Sequence, residues 1–206
     1  IECEQGTPEW LQARAGVITA SELSKVLAKG EGKTRAKYMR QLAGEIITGQ
    51  PCDSGFDGNR HTERGKIMEP VARELLETRT SQKITQVGFI LNEELRMGCS
   101  PDGLLGANPD NLLEFESGVE LKCCLADIQI ERLLHGGVPS EYRAQVEGSL
   151  LVTGAKVWKF YSYSTNLPAH IIDVTLSDER KTEMIKAIED FNTELDALVK
   201  TIRNLY

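Results

Sequence analysis

Apolar residues recur along this chain with two periods, and the changes from one to the other mark out its elements. Ile67, Val71 and Leu75 lie four apart with Leu76 alongside, which predicts a helix from Gly65. Val87, Phe89 and Leu91 then alternate as a strand, Asn92-Glu93-Glu94 turns, and Leu95 to Ser100 returns as its hairpin partner. Val119, Leu121 and Cys123 alternate with Glu120, Lys122 and Cys124, so a strand at 118 to 124 turns the first set to the core and puts Glu120 and Lys122 on the opposite face. A short helix over 127 to 135 is closed by Gly136-Gly137. A longer one opens at Pro139-Ser140-Glu141 and carries Tyr142, Gln145 and Ser149 on one face, and Val157 to Tyr161 reads as the closing strand. From Asp178 to Tyr206 the spacing of Met184, Ile185, Ile188, Phe191, Leu195, Leu198, Val199, Ile202 and Leu205 predicts one long amphipathic helix.

Upstream of this region the signals are caps and turns. Thr7-Pro8-Glu9 opens a helix with Thr7 as its cap, Pro8 in its first turn and Trp10 and Arg14 on one face. A second helix is expected at Ile18 to Glu22, with Thr19 as cap and Glu22 at capping-box spacing. A third runs from about Thr34 to Ile47 and ends at Gly49. Residues 50 to 64 are rich in turn formers and are expected to form a mobile loop, with no role assigned to His61. The order helix, three strands, helix, strand from Gly65 to Tyr163 predicts an α/β core with a mixed sheet flanked by helices. A length of 206 residues fits a single domain, with an N-terminal helical segment over residues 1 to 50, a core over 65 to 163 and a C-terminal helix over 178 to 206.

The net charge of −7 argues against a polyanionic partner until its distribution is considered. Lys25, Lys29, Lys33, Arg35, Lys37 and Arg40 face only Glu31 between 25 and 40, while acids crowd the last third, so one local patch suits DNA. The five cysteines, Cys3, Cys52, Cys99, Cys123 and Cys124, contain no C-x-x-C pair, which indicates neither a zinc site nor a disulfide framework and suits a reducing, intracellular setting. No long apolar run and no signal-like start are present, so a soluble protein without a membrane role is expected. The first residue is Ile1, and a few residues are expected to precede it.

The chemistry gathers between Cys99 and Cys123. Asp102 follows a proline that cannot donate to a sheet ladder and precedes a glycine free to turn, which aims its carboxylate away from a strand end. With Glu120 it offers two hard oxygen ligands suited to Mg²⁺ or Mn²⁺, and Lys122 offers an ammonium to position a water or to stabilise charge on a phosphate. The plainer readings are a common Pro-Asp-Gly turn and a solvated Glu-x-Lys pair on a strand. Arg14 and the Ser21 hydroxyl, beside the free amides of a helix start, would form a phosphate pocket; the plainer reading has them as surface and cap.

Pro101-Asp102-Gly103 followed by Glu120-Leu121-Lys122 resembles the PD-(D/E)xK nuclease signature. More narrowly, Gly16-Val17-Ile18-Thr19-Ala20-Ser21-Glu22 together with Cys99-Ser100-Pro101-Asp102-Gly103-Leu104 resembles the phage lambda exonuclease family of recombination nucleases, over about Trp10 to Tyr163. The resemblance implies a restriction-endonuclease-like core and a Mg²⁺-dependent 5′→3′ exonuclease, with two ions per site and Mn²⁺ as a substitute. Such an enzyme degrades one strand of linear double-stranded DNA from its end and leaves a 3′ overhang for recombination. Asp102, Glu120 and the Leu121 carbonyl would hold the metals, Lys122 would orient the attacking water, and Glu69, from the block Gly65 to Glu69, would stand beside the metals. Gln145 and Tyr142 would lie against the active site and DNA. Arg14 and Ser21 would hold the 5′-phosphate, with Trp10 and Thr19 adjoining.

The resemblance further implies a homotrimeric ring, a single-strand-annealing recombinase as partner, and a phage- or prophage-encoded protein of the bacterial cytoplasm. The alternatives are another nuclease on the same core, an endonuclease or one of different polarity, and a DNA-end-binding module without activity. The cysteine spacing offers no iron–sulfur site.

Overall fold

The computed structural model describes residues 1–28, 32–52, 60–112 and 114–205. A five-stranded sheet in the order β2-β5-β6-β7-β8 forms its centre: β2 is Ile84–Thr85, β5 Gly103–Leu105, β6 Ser117–Cys123, β7 Trp158–Tyr163 and β8 His170–Val174. β6 and β7 run parallel and the other neighbours antiparallel, so the sheet is mixed as expected. A parallel pair needs a crossover, and α5 (Ala126–His135) and α6 (Ser140–Thr153) supply it. A smaller sheet sets β1 (Ile18–Thr19) parallel to β4 (Met97–Cys99), which forms the expected hairpin with β3 (Ile90–Asn92). β8 is an addition to the sequence reading, which closed the sheet at β7.

Helices cover both faces of the large sheet. On one, Ala72 and Leu76 of α4 (Arg60–Thr80) pack on Val119, Leu121 and Tyr161. On the other, α6, α3 (Lys33–Thr48) and α7 (Asp178–Arg203) enclose Trp158, Phe160, Val146, Leu150, Ile188 and Phe191. Gly118 is required in β6 because a Cβ there would stand 2.3 Å from the Trp158 ring. α7 is locked to α3 by the Arg35–Glu194 pair at 2.7 Å and by Phe191 against Tyr38 at 6.0 Å.

Four expectations are corrected. α4 begins at Arg60, so residues 60–64 of the expected loop are helical, while 53–59 lie outside the described residues. Its core face is Met68, Ala72 and Leu76, one position out of phase with the expected stripe; Ile67 is 73% exposed, and Val71 and Leu75 are exposed beside it. Glu69 consequently lies mid-helix rather than at a helix start. Thr19 does not cap: it precedes a short 3₁₀ turn, Ala20–Glu22, without a side-chain cap bond, and α2 (Leu23–Leu27) follows. The C-terminal helix stops at Arg203, which leaves Leu205 exposed. Thr7, by contrast, caps α1 (Pro8–Arg14) as expected, accepting from the Trp10 amide at 3.3 Å. Among the described residues no helix is long and apolar enough to cross a membrane.

Candidate active site

β6 carries the chemistry because both its faces are covered. Val119 and Leu121 point at α4, which leaves Glu120 and Lys122 on the α6 side, level with Phe160 and Ser162 of β7. Asp102 sits in the bend between β4 and β5. Its amide donates to the Val119 carbonyl at 3.1 Å, and its Oδ2 accepts from the Leu121 amide at 2.6 Å. In an extended strand a residue's amide and carbonyl point to the same edge, so the Leu121 carbonyl shares the Asp102 side of β6.

Glu120 is 1% exposed. Its Oε1 accepts from Gln145 Nε2 at 2.7 Å and also from Lys122 Nζ, which lies 3.9 Å from Asp102 Oδ2. Burial, with further repulsion from Asp102 and Glu69, pushes the Glu120 carboxyl up to about 7 despite the adjacent ammonium. Burial opposes the charge on Lys122, but Glu120 and Asp102 outweigh it and hold the amine above its ordinary value. Glu69 is raised by burial and then by Asp102. Glu69 is paired with Arg73 on α4 and does not line the cleft.

The second half of the site comes from the N-terminal segment. The Arg14 guanidinium stacks 3.9 Å over the Trp10 ring, and the Trp10 indole N–H donates to Ser100 Oγ at 2.8 Å. Among the described residues no carboxylate pairs with Arg14, and burial depresses its pKa. The turn after Arg14 is fixed by Gly16, at φ +72°, whose amide donates to the buried Glu45 carboxylate at 2.8 Å. Thr19 donates its amide to Tyr38 Oη at 3.2 Å, and its hydroxyl lies 3.2 Å from that of Ser21.

A cavity of about 170 Å³ joins the two halves. Trp10, Arg14, Thr19, Ser21, Asp102, Glu120, Lys122 and Gln145 all line it, as do Gln5, Ser100 and Ser149. Tyr142 does not: its ring stacks on Phe160 at 5.6 Å, with Lys122 Nζ 5.3 Å from the ring centre. The Leu121 side chain faces α4, so only its main chain adjoins the site.

Among the described residues no three His, Cys, Asp or Glu side chains converge as a protein-built metal cage. Mg²⁺ does not need one, because it retains waters and takes one or two carboxylates plus substrate phosphate oxygens. Here two carboxylates of neighbouring elements stand together, each with one oxygen already held by a donor of this chain. Burial, and after it repulsion from Asp102, raises Glu120, and a divalent cation would offset both by favouring the ionised carboxylate. The donor set fits such an ion.

Residues 9–156 match the YqaJ-like viral recombinase domain. This chain belongs to that family. The match includes every lining residue named above except Gln5. LHK-Exo, an alkaline exonuclease from Laribacter hongkongensis solved alone and in complex with dAMP, is 28% identical over 96% of this chain and 97% of its own, with TM-scores of 0.81 and 0.82. A phage-related exonuclease from Haemophilus somnus 129PT shares the fold at a TM-score of 0.60 and 14% identity, over 90% of this chain and 96% of that one. No curated protein matches. The mixed α/β core expected from the sequence is the fold of these exonucleases.

Among the residues that sequence reasoning missed are Gln5, which lines this YqaJ-like cleft, and Glu45, which braces it from outside. Gln5 donates to the Val87 carbonyl at 2.9 Å and the Pro101 carbonyl at 2.8 Å, which fastens the residue before Asp102. Glu45 also accepts from the Cys52 amide at 3.2 Å, so one carboxylate ties two loops. Neither position stands out by period or motif. The basic segment is also smaller than its count: Arg35 is paired with Glu194 and Lys25 with Glu22, and Lys29 lies outside the described residues, leaving Lys33, Lys37 and Arg40 exposed.

Proposed function

We propose that this chain is a Mg²⁺-dependent 5′→3′ exonuclease acting on the ends of linear double-stranded DNA and leaving 3′ overhangs for recombination. The observation that carries the reading is that one cleft joins a carboxylate–carboxylate–lysine set to a guanidinium that has no acidic partner among the described residues. A cutting centre and an anion anchor in one small cavity suit a substrate that ends in a phosphate.

Arg14 and Ser21, with Trp10 and Thr19 shaping their surroundings, bind the terminal 5′-phosphate and so fix the polarity. Asp102, Glu120 and the Leu121 carbonyl hold Mg²⁺, two ions per site, or Mn²⁺ in its place. When bound, the metal polarises the scissile phosphate and lowers the pKa of water. Gln145 and Lys122 orient the Glu120 carboxylate, and Lys122 directs the attacking water at phosphorus. Glu69 and Tyr142 support the site from behind. Attack expels the 3′-oxygen of the first nucleotide, releases a nucleoside 5′-monophosphate and leaves a new 5′-phosphate for Arg14. The complex of LHK-Exo with dAMP supports a product of this class.

A −7 chain must still hold a polyanion. A homotrimeric ring would turn Lys33, Lys37 and Arg40 of each copy toward a central channel, with the number three taken from the resembled family. A single-strand-annealing recombinase would receive the overhang in the bacterial cytoplasm. Light scattering measures the first of these, and a monomer mass with processive digestion would refute the ring.

The deciding experiment digests blunt linear duplex bearing a 5′-phosphate or a 5′-hydroxyl, with and without Mg²⁺. Metal-dependent release of mononucleotides from the phosphorylated 5′ end is expected. Binding without cleavage in Mg²⁺ would leave only an end-binding module.

A further inference from the structure

Arg132 is 8% exposed, and among the described residues no carboxylate pairs with it. The C-terminal end of α5 meets part of its charge, but a buried cation in such a place is costly unless it has a use. Its Nη1 donates to Ser162 Oγ at 2.8 Å, and its guanidinium carbon lies 5.2 Å from the centre of the Tyr142 ring. Lys122 Nζ lies 5.3 Å from the same ring, so one aromatic side chain touches both cations.

Ser162 is the register partner of Lys122 in the adjacent parallel strand, and both side chains stand on the same face of the sheet. Neighbouring strands are about 4.8 Å apart, which puts the Ser162 hydroxyl within reach of a lysine amine. That hydroxyl is fully buried, donates to Gln129 Oε1 at 2.6 Å and accepts from Arg132. A lysine folded back onto it would leave Glu120 and meet the guanidinium.

We propose that Arg132 is a positioning residue for Lys122: it takes the hydroxyl to which the lysine could retreat and repels the ammonium from that side. Lys122 is thereby confined to Glu120 and Asp102, facing the cleft. The inference rests on the reading above, in which Lys122 directs the attacking water.

The test is steady-state digestion of 5′-phosphorylated duplex in Mg²⁺ by Arg132→Met, Arg132→Lys and Lys122→Ala, with melting temperatures recorded for each. Loss of an outer support of this kind lowers activity about 10- to 100-fold. Arg132→Met is therefore expected to lose that much kcat with KM and the preference for a 5′-phosphate unchanged, and Arg132→Lys to recover most of it. Should Arg132→Met fail to fold, Ser162→Ala asks the same question from the other side. With no hydroxyl to retreat to, Lys122 stays in place and kcat is unchanged; a fall in kcat there would overturn the inference.

It is also overturned if Arg132→Met keeps wild-type kcat, if KM rises in its place, or if both Arg132 variants lose activity in step with melting temperature. If Lys122→Ala itself cleaves like wild type, the functional reading is what fails. If Lys122→Ala is inactive while Arg132→Met is fully active, only the role of Arg132 fails.

Discussion

Replacing Arg14 by alanine is expected to separate end recognition from cutting. The guanidinium lies over Trp10, has no carboxylate partner among the described residues, and stands in the cleft with Ser21. A charge-assisted hydrogen bond contributes about 1.5–3 kcal/mol, and a tenfold change in rate corresponds to about 1.4 kcal/mol. Arg14→Ala should therefore reduce the preference for a 5′-phosphate over a 5′-hydroxyl end by roughly ten- to a hundredfold. The hydroxyl end, which never used the anchor, should be cut at close to the wild-type rate. Arg14→Lys is expected to fall between, because an ammonium restores the charge without the planar fork. Single-turnover cleavage of the two duplexes, at enzyme in excess, gives the ratio directly. An unchanged ratio in Arg14→Ala would place the phosphate elsewhere and refute the reasoning.

Lys122→Ala is expected to lose about 10²–10³ in rate while retaining Mn²⁺ binding by calorimetry, whereas Asp102→Ala should lose both. Glu120 sits near 7, above its ordinary 4.5, so in the metal-free protein its contribution to stability is full below pH about 4.5 and is lost as pH rises through 7. Metal binding needs the ionised form, so Mg²⁺ should raise the melting temperature more at pH 8 than at pH 6, and equal shifts would contradict the assignment. Leu76→Ala, at a fully buried position, should cost about 2–5 kcal/mol in denaturant melts, while Ile67→Ala, at 73% exposure, should stay within about 0.5.

The metal-type half of the site was legible because β6 announces itself. A strict alternation fixes which side chains share a face, and Asp102 is framed by two residues that allow only a bend. α4 was harder, because two apolar stripes, Ile67-Val71-Leu75 and Met68-Ala72-Leu76, lie one residue apart. Period alone cannot tell which one meets the sheet, and the small Ala72 concealed the true face. Thr19 carried the signature of a cap, but tertiary structure overrode it. Pairing of β1 with β4 keeps the residue extended, and its amide goes to Tyr38. Gln5 and Glu45 were invisible for another reason: the carbonyls and amides they hold are brought to them only by the fold.

Trp10 has a place in both halves of the cleft. Its ring carries Arg14, and its indole nitrogen is fastened to Ser100, two residues before Asp102. A flat, rigid side chain bonded in this way is a gauge: in the proposed function it would set the span between the terminal phosphate and the bond to be cut. With that span fixed, the proposed exonuclease would have a single stride, each turnover advancing it by the same length of strand.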